Sequence, residues 1–407
     1  MESLYIGIDW SEAKHDVCFL NKQGAILQEF VIEQSAAGYA QLLQKISQYQ
    51  VEPTACFIAI ETAYNLLLDF LLAKQYTVFV LPPNLVASNR SRFSSSGRRN
   101  DRSDARLIAD ICRTDQQRLT PWQKDGRQIN RMKALLRLID DLTQSTTRYS
   151  NRLRYILLRA YPAAQGLFHD LTTQIALQFL MTYPTQTEAQ ALSLVEFRRF
   201  CQQHRYSHPQ RIAQRFTHLQ QEQNVPDADV EQAEGAAIAS LAACLLTFVQ
   251  QKRQAIKQVQ ALFTQQADQA IFASVPGAGE LLAPKLLVMF GTHRDCYARP
   301  ADIQALAGTC PITVQSGKKK VVRFRRGCNY EFRHTAHSLA VTSVKQSTWA
   351  ATYFQQARER GLAKSQAYRC LANRWLAIIW TLWQRNETYD ESYHMQQVQR
   401  HRKNMAT

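Results

Sequence analysis

Four carboxylates in this chain are spaced in a way that could do chemistry on phosphates. Asp9 ends the short apolar run Tyr5-Ile6-Gly7-Ile8, and Glu61 ends a second one, Cys56-Phe57-Ile58-Ala59-Ile60. Both runs are rich in strand formers, so each acid is expected at a rigid strand end. Asp101 and Asp104 open an amphipathic stretch continued by Leu107, Ile108 and Ile111. On a helix, residues three apart share a face, with Cβ atoms roughly 5–6 Å apart. Four carboxylates brought together without counter-charge repel, and their pKa values rise. Two divalent cations would neutralise them, and two-metal phosphoryl transfer uses such a cluster with metals about 3.5–4 Å apart. Carboxylate and water ligands suit Mg²⁺ or Mn²⁺. The plainer reading is surface acids on a basic protein. Two strand-end acids plus an i, i+3 pair in this order outweigh it. Asp9, Glu61, Asp101 and Asp104 are therefore expected to be catalytic and metal-liganding.

A second chemistry is basic. The Ser/Gly-rich stretch 88–99 leads into Asp101 and carries Arg90, Arg92, Arg98 and Arg99, suited to phosphates. Ser274-Val275-Pro276-Gly277-Ala278-Gly279 precedes an apolar helical run. A tight turn there would present the backbone N–H groups of Gly277 and Gly279 to a phosphate. From 318 to 326, six of nine residues are basic: Lys318, Lys319, Lys320, Arg323, Arg325 and Arg326. Val321, Val322 and Phe324 interleave with them, as in a strand laid along a nucleic-acid backbone. Ser316 stands just before Gly317 and this run. Its hydroxyl is a candidate nucleophile that the lysines could assist, although no histidine base is adjacent in sequence.

The elements that must hold these residues can be read from the patterning. Asp9 is followed by strands over 14–20 and 25–32, a helix capped by Ser35, the Glu61 strand, a short helix over 66–74, and a strand over 77–81 stopped by Pro82-Pro83. That order is α/β, of ribonuclease-H-like type. Two long helical seams follow. One runs Met132, Leu135, Ile139, Leu142, Thr146, Tyr149, Leu153, Ile156; the other runs Ile238, Leu241, Leu245, Phe248, Lys252, Ala255, Val259, Leu262. They could pair with each other as a coiled-coil hairpin, meet another subunit, or be core helices of a bundle. Between them, 160–232 is Gln-rich with short helical stretches and no assigned role. The predicted division is 1–122, an α/β domain with the acids; 123–270, a helical coiled-coil region with an insert; 271–385, a mainly helical domain; and 386–407, a basic tail.

Composition narrows the partners. The chain has 407 residues, 45% hydrophobic, with a net charge of +16. That charge points to a polyanion, nucleic acid before membrane. No apolar run is read as reaching the ~18 residues of a membrane span, and the N-terminus shows no signal-peptide pattern. Nine cysteines without a CxxC pair suggest reduced thiols and a cytoplasmic location.

The motifs Tyr5-Ile6-Gly7-Ile8-Asp9, Ile60-Glu61-Thr62, Asp101-Arg102-Ser103-Asp104-Ala105-Arg106, Ser274-Val275-Pro276-Gly277-Ala278-Gly279 and Gln315-Ser316-Gly317 occur in the order and rough spacing of one family. The chain resembles the DEDD transposases of the insertion-sequence-110 family, relatives of pilin-gene inverting recombinases. The resemblance covers both ends of the chain; the middle, from about Tyr161 to Asp229, is longer than the family pattern, and Gly317 runs directly into lysines where that pattern has more small and hydroxyl residues. It implies a RuvC-like domain with Asp9, Glu61, Asp101 and Asp104 as its acids, and a C-terminal transposase domain whose nucleophile maps to Ser316. It also implies donor and target DNA as substrates, a structured non-coding guide RNA (the bridge RNA) pairing with both, and a dimer or tetramer in a bacterial cytoplasm, associated with the nucleoid. Two rivals make different demands. A RuvC-like endonuclease needs the acids but not Ser316, and a silent nucleic-acid-binding protein needs neither.

Overall fold

The computed structural model describes residues 3–63, 65–90, 101–123, 125–221, 227–317 and 319–406. The chain divides into two units, 1–125 with 293–298, and 126–292 with 299–407.

The first unit is a five-stranded mixed sheet with helices on both faces. β1 (Leu4–Trp10), β2 (Lys14–Leu20) and β3 (Ile26–Glu33) form an antiparallel meander, while β4 (Cys56–Ile60) and β5 (Thr77–Val80) add in parallel beyond β1, giving the order β3-β2-β1-β4-β5. α1 (Ala36–Ser47) is capped as the sequence predicts, Ser35 Oγ accepting from the Gly38 N–H at 3.1 Å. α2 (Leu66–Ala73) begins at Asn65, whose side chain accepts from the Leu68 N–H. α3 (Pro83–Asn89) and α4 (Asp101–Asp115) follow.

Strand side chains alternate between faces, and the sheet uses both. Leu4, Ile6, Ile8, Val17, Phe19, Cys56, Ile58 and Ile60 share a core with Leu42 of α1 and Leu67 and Leu71 of α2. Tyr5, Cys18, Leu20 and Ala59 pack with Ala105, Ile108, Ala109 and Cys112 of α4. The mixed sheet, and the helical unit after it, fit a DEDD, ribonuclease-H-like N-terminal part followed by a helical remainder.

The second unit is built on two long helices, α5 (Arg127–Ala160) and α10 (Ala228–Phe263). Gln128 meets Gln265, Tyr149 meets Phe248, and Arg159 pairs with Glu234. The two helices therefore run antiparallel along their length, within one chain. Between them α6 (Gln174–Thr182), α7 (Gln186–Gln190), α8 (Leu194–Gln203) and α9 (Ile212–Leu219) close a core of Phe168, Phe179, Phe197 and Phe200 against Leu153, Leu157, Ile238 and Leu245. The insert is thus a packed helical cap on the far end of the hairpin.

Against the expectation from sequence, α10 is long and apolar enough to cross a membrane by length and composition, with only Ser240 and Thr247 interrupting its apolar stretch from 235 to 249. Ala236, Ala237, Ala239, Ala242 and Ala243 supply much of that hydropathy, and Ile238, Leu245 and Val259 are buried in the unit's own packing. α11 (Gln269–Ala273), α12 (Gly279–Phe290), α13 (Pro300–Leu306), α14 (Tyr330–Ser343), α15 (Thr348–Glu359), α16 (Lys364–Arg385) and α17 (Glu391–Ala406) complete the unit, with one hairpin, β6 (Ile312–Ser316) and β7 (Lys319–Arg323). Phe272, Phe332 and Trp383 pack edge-on around Phe290 in its core. The C-terminal basic segment is largely α17.

Candidate active site

Register alone brings three carboxylates to one place. Asp9 and Asp16 are direct antiparallel partners across β1 and β2. Ile8 pairs with Ile60 across β1 and β4, so Asp9 and Glu61 lie one rung further at adjacent strand ends. Because Gly7 and Ala59 lie on the α4 face, alternation puts Asp9 and Glu61 there too, and Cys18 does the same for Asp16. α4 supplies Asp101 and Asp104 from its first turn. Gly7 lets the helix approach: a Cβ there would lie 2.1 Å from the Ala105 carbonyl oxygen and 2.3 Å from the Ala109 nitrogen.

The electrostatics follow from this convergence. The Asp9 carboxyl is pushed up to about 7, first by burial, then by Asp104, Glu61, Asp101 and Asp16. Burial also raises Glu61, with Arg90 pulling the other way and Asp104 adding to the rise. Asp16, 7% exposed, is raised by burial and then by Asp101, against Lys14 and Arg102. Asp104 is half-buried and Asp101 exposed.

Arg90, read from the sequence as a phosphate contact, is committed to this cluster. Its Nη2 donates to Asp104 Oδ2 at 2.9 Å and its Nε to Oδ1 at 3.3 Å. Among the described residues no three acidic, histidine or cysteine side chains stand in ligating geometry. Arg92, Arg98, Arg99 and Lys318 lie outside the described residues.

Ser316 is the last residue of β6 and pairs directly with Lys319 across the hairpin, with Gly317 at φ +55 in the turn. Pairing and alternation put Ile312, Val314, Ser316, Lys319, Val321 and Arg323 on one face and Lys320 on the other. Ser316, Lys319, Lys320, Arg323 and Arg326 are exposed. Arg325 is half-buried, its Nε donating to the Cys310 carbonyl at 3.3 Å. The base of the hairpin is pinned by Phe324, whose ring has the guanidinium groups of Arg333 and Arg369 each 4.6 Å from its centre.

The Gly277 turn differs from the predicted cradle. Its N–H donates to Gln346 Oε1 at 2.9 Å and its carbonyl accepts from Thr342 Oγ1 at 2.8 Å. A Cβ at Gly277, φ +84, would lie 2.6 Å from the Ser343 nitrogen. Gly277 thus serves a packing joint with the end of α14, and its N–H is not available to a phosphate. Gly279, φ +51, has open space around its Cβ position at the start of α12.

Comparison with known proteins finds two family models along the chain. A DEDD transposase model for IS110 elements matches residues 6–162, and a transposase model of the IS116/IS110/IS902 family matches 269–355. The chain belongs to the IS110/IS116/IS902 family of transposases. It is 28% identical, over 96% of each chain, to the Streptomyces coelicolor mini-circle protein whose name ties it to transposition of IS117. It is 21% identical to the insertion element IS116 44.8 kDa protein of Streptomyces clavuligerus, over 94% of each chain. It is 22% identical to the insertion element IS900 42 kDa protein of Mycobacterium paratuberculosis, over 95% of this chain and 97% of that one.

This transposase is therefore an enzyme acting on DNA, and its acids can be tested as a metal site. The donors are all carboxylate oxygens, they gather from two strand ends and the first turn of α4, and burial together with their repulsion raises the Asp9 carboxyl to about 7. That donor set fits a hard divalent cation, provided that Asp104 exchanges Arg90 for it. Sequence reasoning missed Asp16. The signal was present, since a tight turn between 10 and 14 sets Asp16 opposite Asp9, but it required committing to a register.

Proposed function

We propose that this transposase cuts and rejoins DNA through a serine-linked intermediate on Ser316, assisted by a divalent-metal site of Asp9, Glu61, Asp101 and Asp104, and is guided by a structured RNA. The observation that carries the acidic half is the convergence of Asp9 with Asp16, Glu61, Asp101 and Asp104, which after burial raises the Asp9 carboxyl to about 7 and which a cation would neutralise. When bound, Mg²⁺ or Mn²⁺ would neutralise charge on the scissile phosphate. Asp9 and Glu61, fixed by β1 and β4, would set its position, and Asp104 would complete the set as Arg90 turns to the DNA backbone.

The serine half rests on Ser316 being exposed at a hairpin tip opposite Lys319. Ser316 Oγ attacks phosphorus, the P–O bond to one DNA strand breaks, and the leaving oxygen takes a proton. One phosphodiester replaces another, so rejoining to a new partner needs no ATP. Lys319, with its Cβ about 4.5–5.5 Å from that of Ser316, would stabilise the pentavalent phosphate. The substrates are donor and target DNA in the bacterial cytoplasm, and a dimer or tetramer supplies more than one copy of each site.

The test is trapping on a nicked suicide substrate with guide RNA and Mg²⁺. Wild type should give a protein–DNA adduct that maps to Ser316. Ser316→Ala should lose it while keeping DNA binding, and Asp9→Ala should lose it while staying folded. Strand cleavage persisting in Ser316→Ala without any adduct would replace this reading with a metal-dependent endonuclease.

A further inference from the structure

A cavity of about 650 Å³ lies among α15, α16 and α17, remote in sequence from every motif used above. Its size is in the range of small-ligand sites, roughly 300–1,000 Å³. Its wall is aromatic. Trp349, 7% exposed, meets Trp375 edge-on at 5.0 Å and His394 edge-on at 4.6 Å, and Tyr353 lies one helical turn further along α15. Its cations, Arg360 and Arg374, are exposed and form no ion pair with the described residues.

The cavity is held open by a fixed frame. Glu391, at the start of α17, accepts from Ser347 Oγ at 2.9 Å, from the Trp349 N–H at 2.9 Å and from the Tyr389 hydroxyl at 2.8 Å. That ties the first turn of α17 to the first turn of α15. One turn inside sits His394, whose Nε2 is buried without a hydrogen-bond partner. Buried polar atoms are normally satisfied, so this nitrogen, lining the cavity, is open to a polar group of a ligand. Burial holds the imidazole below its ordinary pKa, against the opposing pull of Glu391. A neutral ring can donate or accept there.

We propose that this cavity takes one unpaired nucleotide of a nucleic-acid strand, its base against Trp349, Tyr353 and His394 and its flanking phosphates on Arg360 and Arg374. Aromatic side chains stack any base, and arginines beside them track the backbone. A buried aromatic wall with an exposed cationic rim matches a nucleotide from both ends. A purely apolar ligand would leave both arginines and His394 Nε2 unused. The proposal rests on the family acting on nucleic acid, and requires neither the serine step nor a guide RNA.

The test uses the full-length protein with short single-stranded oligonucleotides carrying 5-iodouracil, in a DNA arm and an RNA arm, with a blunt duplex for comparison. Irradiation should cross-link a single strand to Trp349 or Tyr353, mapped by mass spectrometry, and the arm that cross-links identifies the strand. The duplex should give little product. Arg360→Ala with Arg374→Ala should weaken single-strand binding and lower the slope of log K against log salt by about 1.4, the value for two phosphate contacts on a single strand. Both residues are exposed, so this variant should keep the wild-type melting temperature. Thr381→Phe, which enlarges a residue lining the cavity, should abolish the cross-link and leave the salt slope unchanged. Cross-links found only outside the cavity, or an arginine variant with wild-type affinity and slope, would overturn the proposal, whatever the outcome of trapping at Ser316.

Discussion

At the scale of single residues, the acidic site gathers charge that the protein's own groups offset in two ways. Arg90 neutralises Asp104 through two hydrogen bonds, and Asp9 holds its proton up to about 7. The second solution has a thermodynamic sign. A carboxyl whose folded pKa lies above its unfolded value, 3.8 here, binds more protons folded than unfolded across the interval between them. Stability therefore falls as pH rises through that interval. Glu61 and Asp16, both raised, act in the same direction. In EDTA, the first unit should melt several degrees lower at pH 7.5 than at pH 5.5. Asp9→Asn should flatten that dependence, and Mg²⁺ should restore the wild-type loss at pH 7.5. Thermal melts across pH that are superimposable for wild type and Asp9→Asn would show that Asp9 is not held in its neutral form. Asp9, Glu61, Asp101 and Asp104 were legible in the sequence because each lies at an element end marked by local pattern. Asp16 and the Arg90–Asp104 pair were not, since each depends on a partner set by tertiary register.

At the scale of elements, most boundaries were readable from local signals. The β1–β3 meander, the Ser35 cap and α4 stand where strand formers, turn residues and helical spacing place them. Spacing misled where one helix serves two neighbours. The expected seam uses Leu135, yet Leu136 is the fully buried residue, because α5 also packs against α12. There Lys285 Nζ contacts both oxygens of Asp140, at 2.6 and 2.8 Å. Glycines carried a comparable ambiguity. The Pro-Gly turn pattern at 276–277 suits a phosphate cradle and a packing joint equally well, and only the approach of α14 decides between them. Gly7 is the element-scale device on which the acidic site depends, because it sets how closely α4 lies on β1. Gly7→Ala forces a methyl against backbone atoms that have no rotamer to yield. Overpacking of this kind costs about 1–3 kcal/mol. Gly126→Ala, where a Cβ meets nothing within 4 Å, should change stability little. Urea melts of the two variants should differ by that amount, and metal-dependent activity should fall with Gly7→Ala even where the protein remains folded. Equal melting of the two variants would mean that α4 can shift without cost.

At the scale of the whole molecule, a charge of +16 must be distributed where it can meet phosphates. Lys319, Lys320, Arg323 and Arg326 are exposed on or beside a two-stranded hairpin. A lone two-stranded hairpin is only marginally stable in water, so this one depends on Phe324 and its flanking arginines at the base and would gain order by lying against a polyanion, as the proposed function requires. Its binding should therefore be dominated by counterion release. Each phosphate neutralised on duplex DNA contributes about 0.9 to the slope of log K against log salt. Replacing Lys319 by alanine should lower that slope by about 0.9 and weaken binding to specific and unrelated duplexes alike, since backbone contacts carry no sequence information. Sequence choice would then come from elsewhere, and the proposed function gives it to a guide RNA. Protein purified from cells carrying its native locus should retain one defined RNA from that locus through a moderate-salt wash, identified by sequencing the bound fraction. The lysine variant should keep that RNA's identity while losing part of its affinity. Recovery of a random sample of cellular RNA from the native-locus strain, with target choice unchanged, would remove the guide from the mechanism and leave selectivity to be explained by protein contacts to base edges.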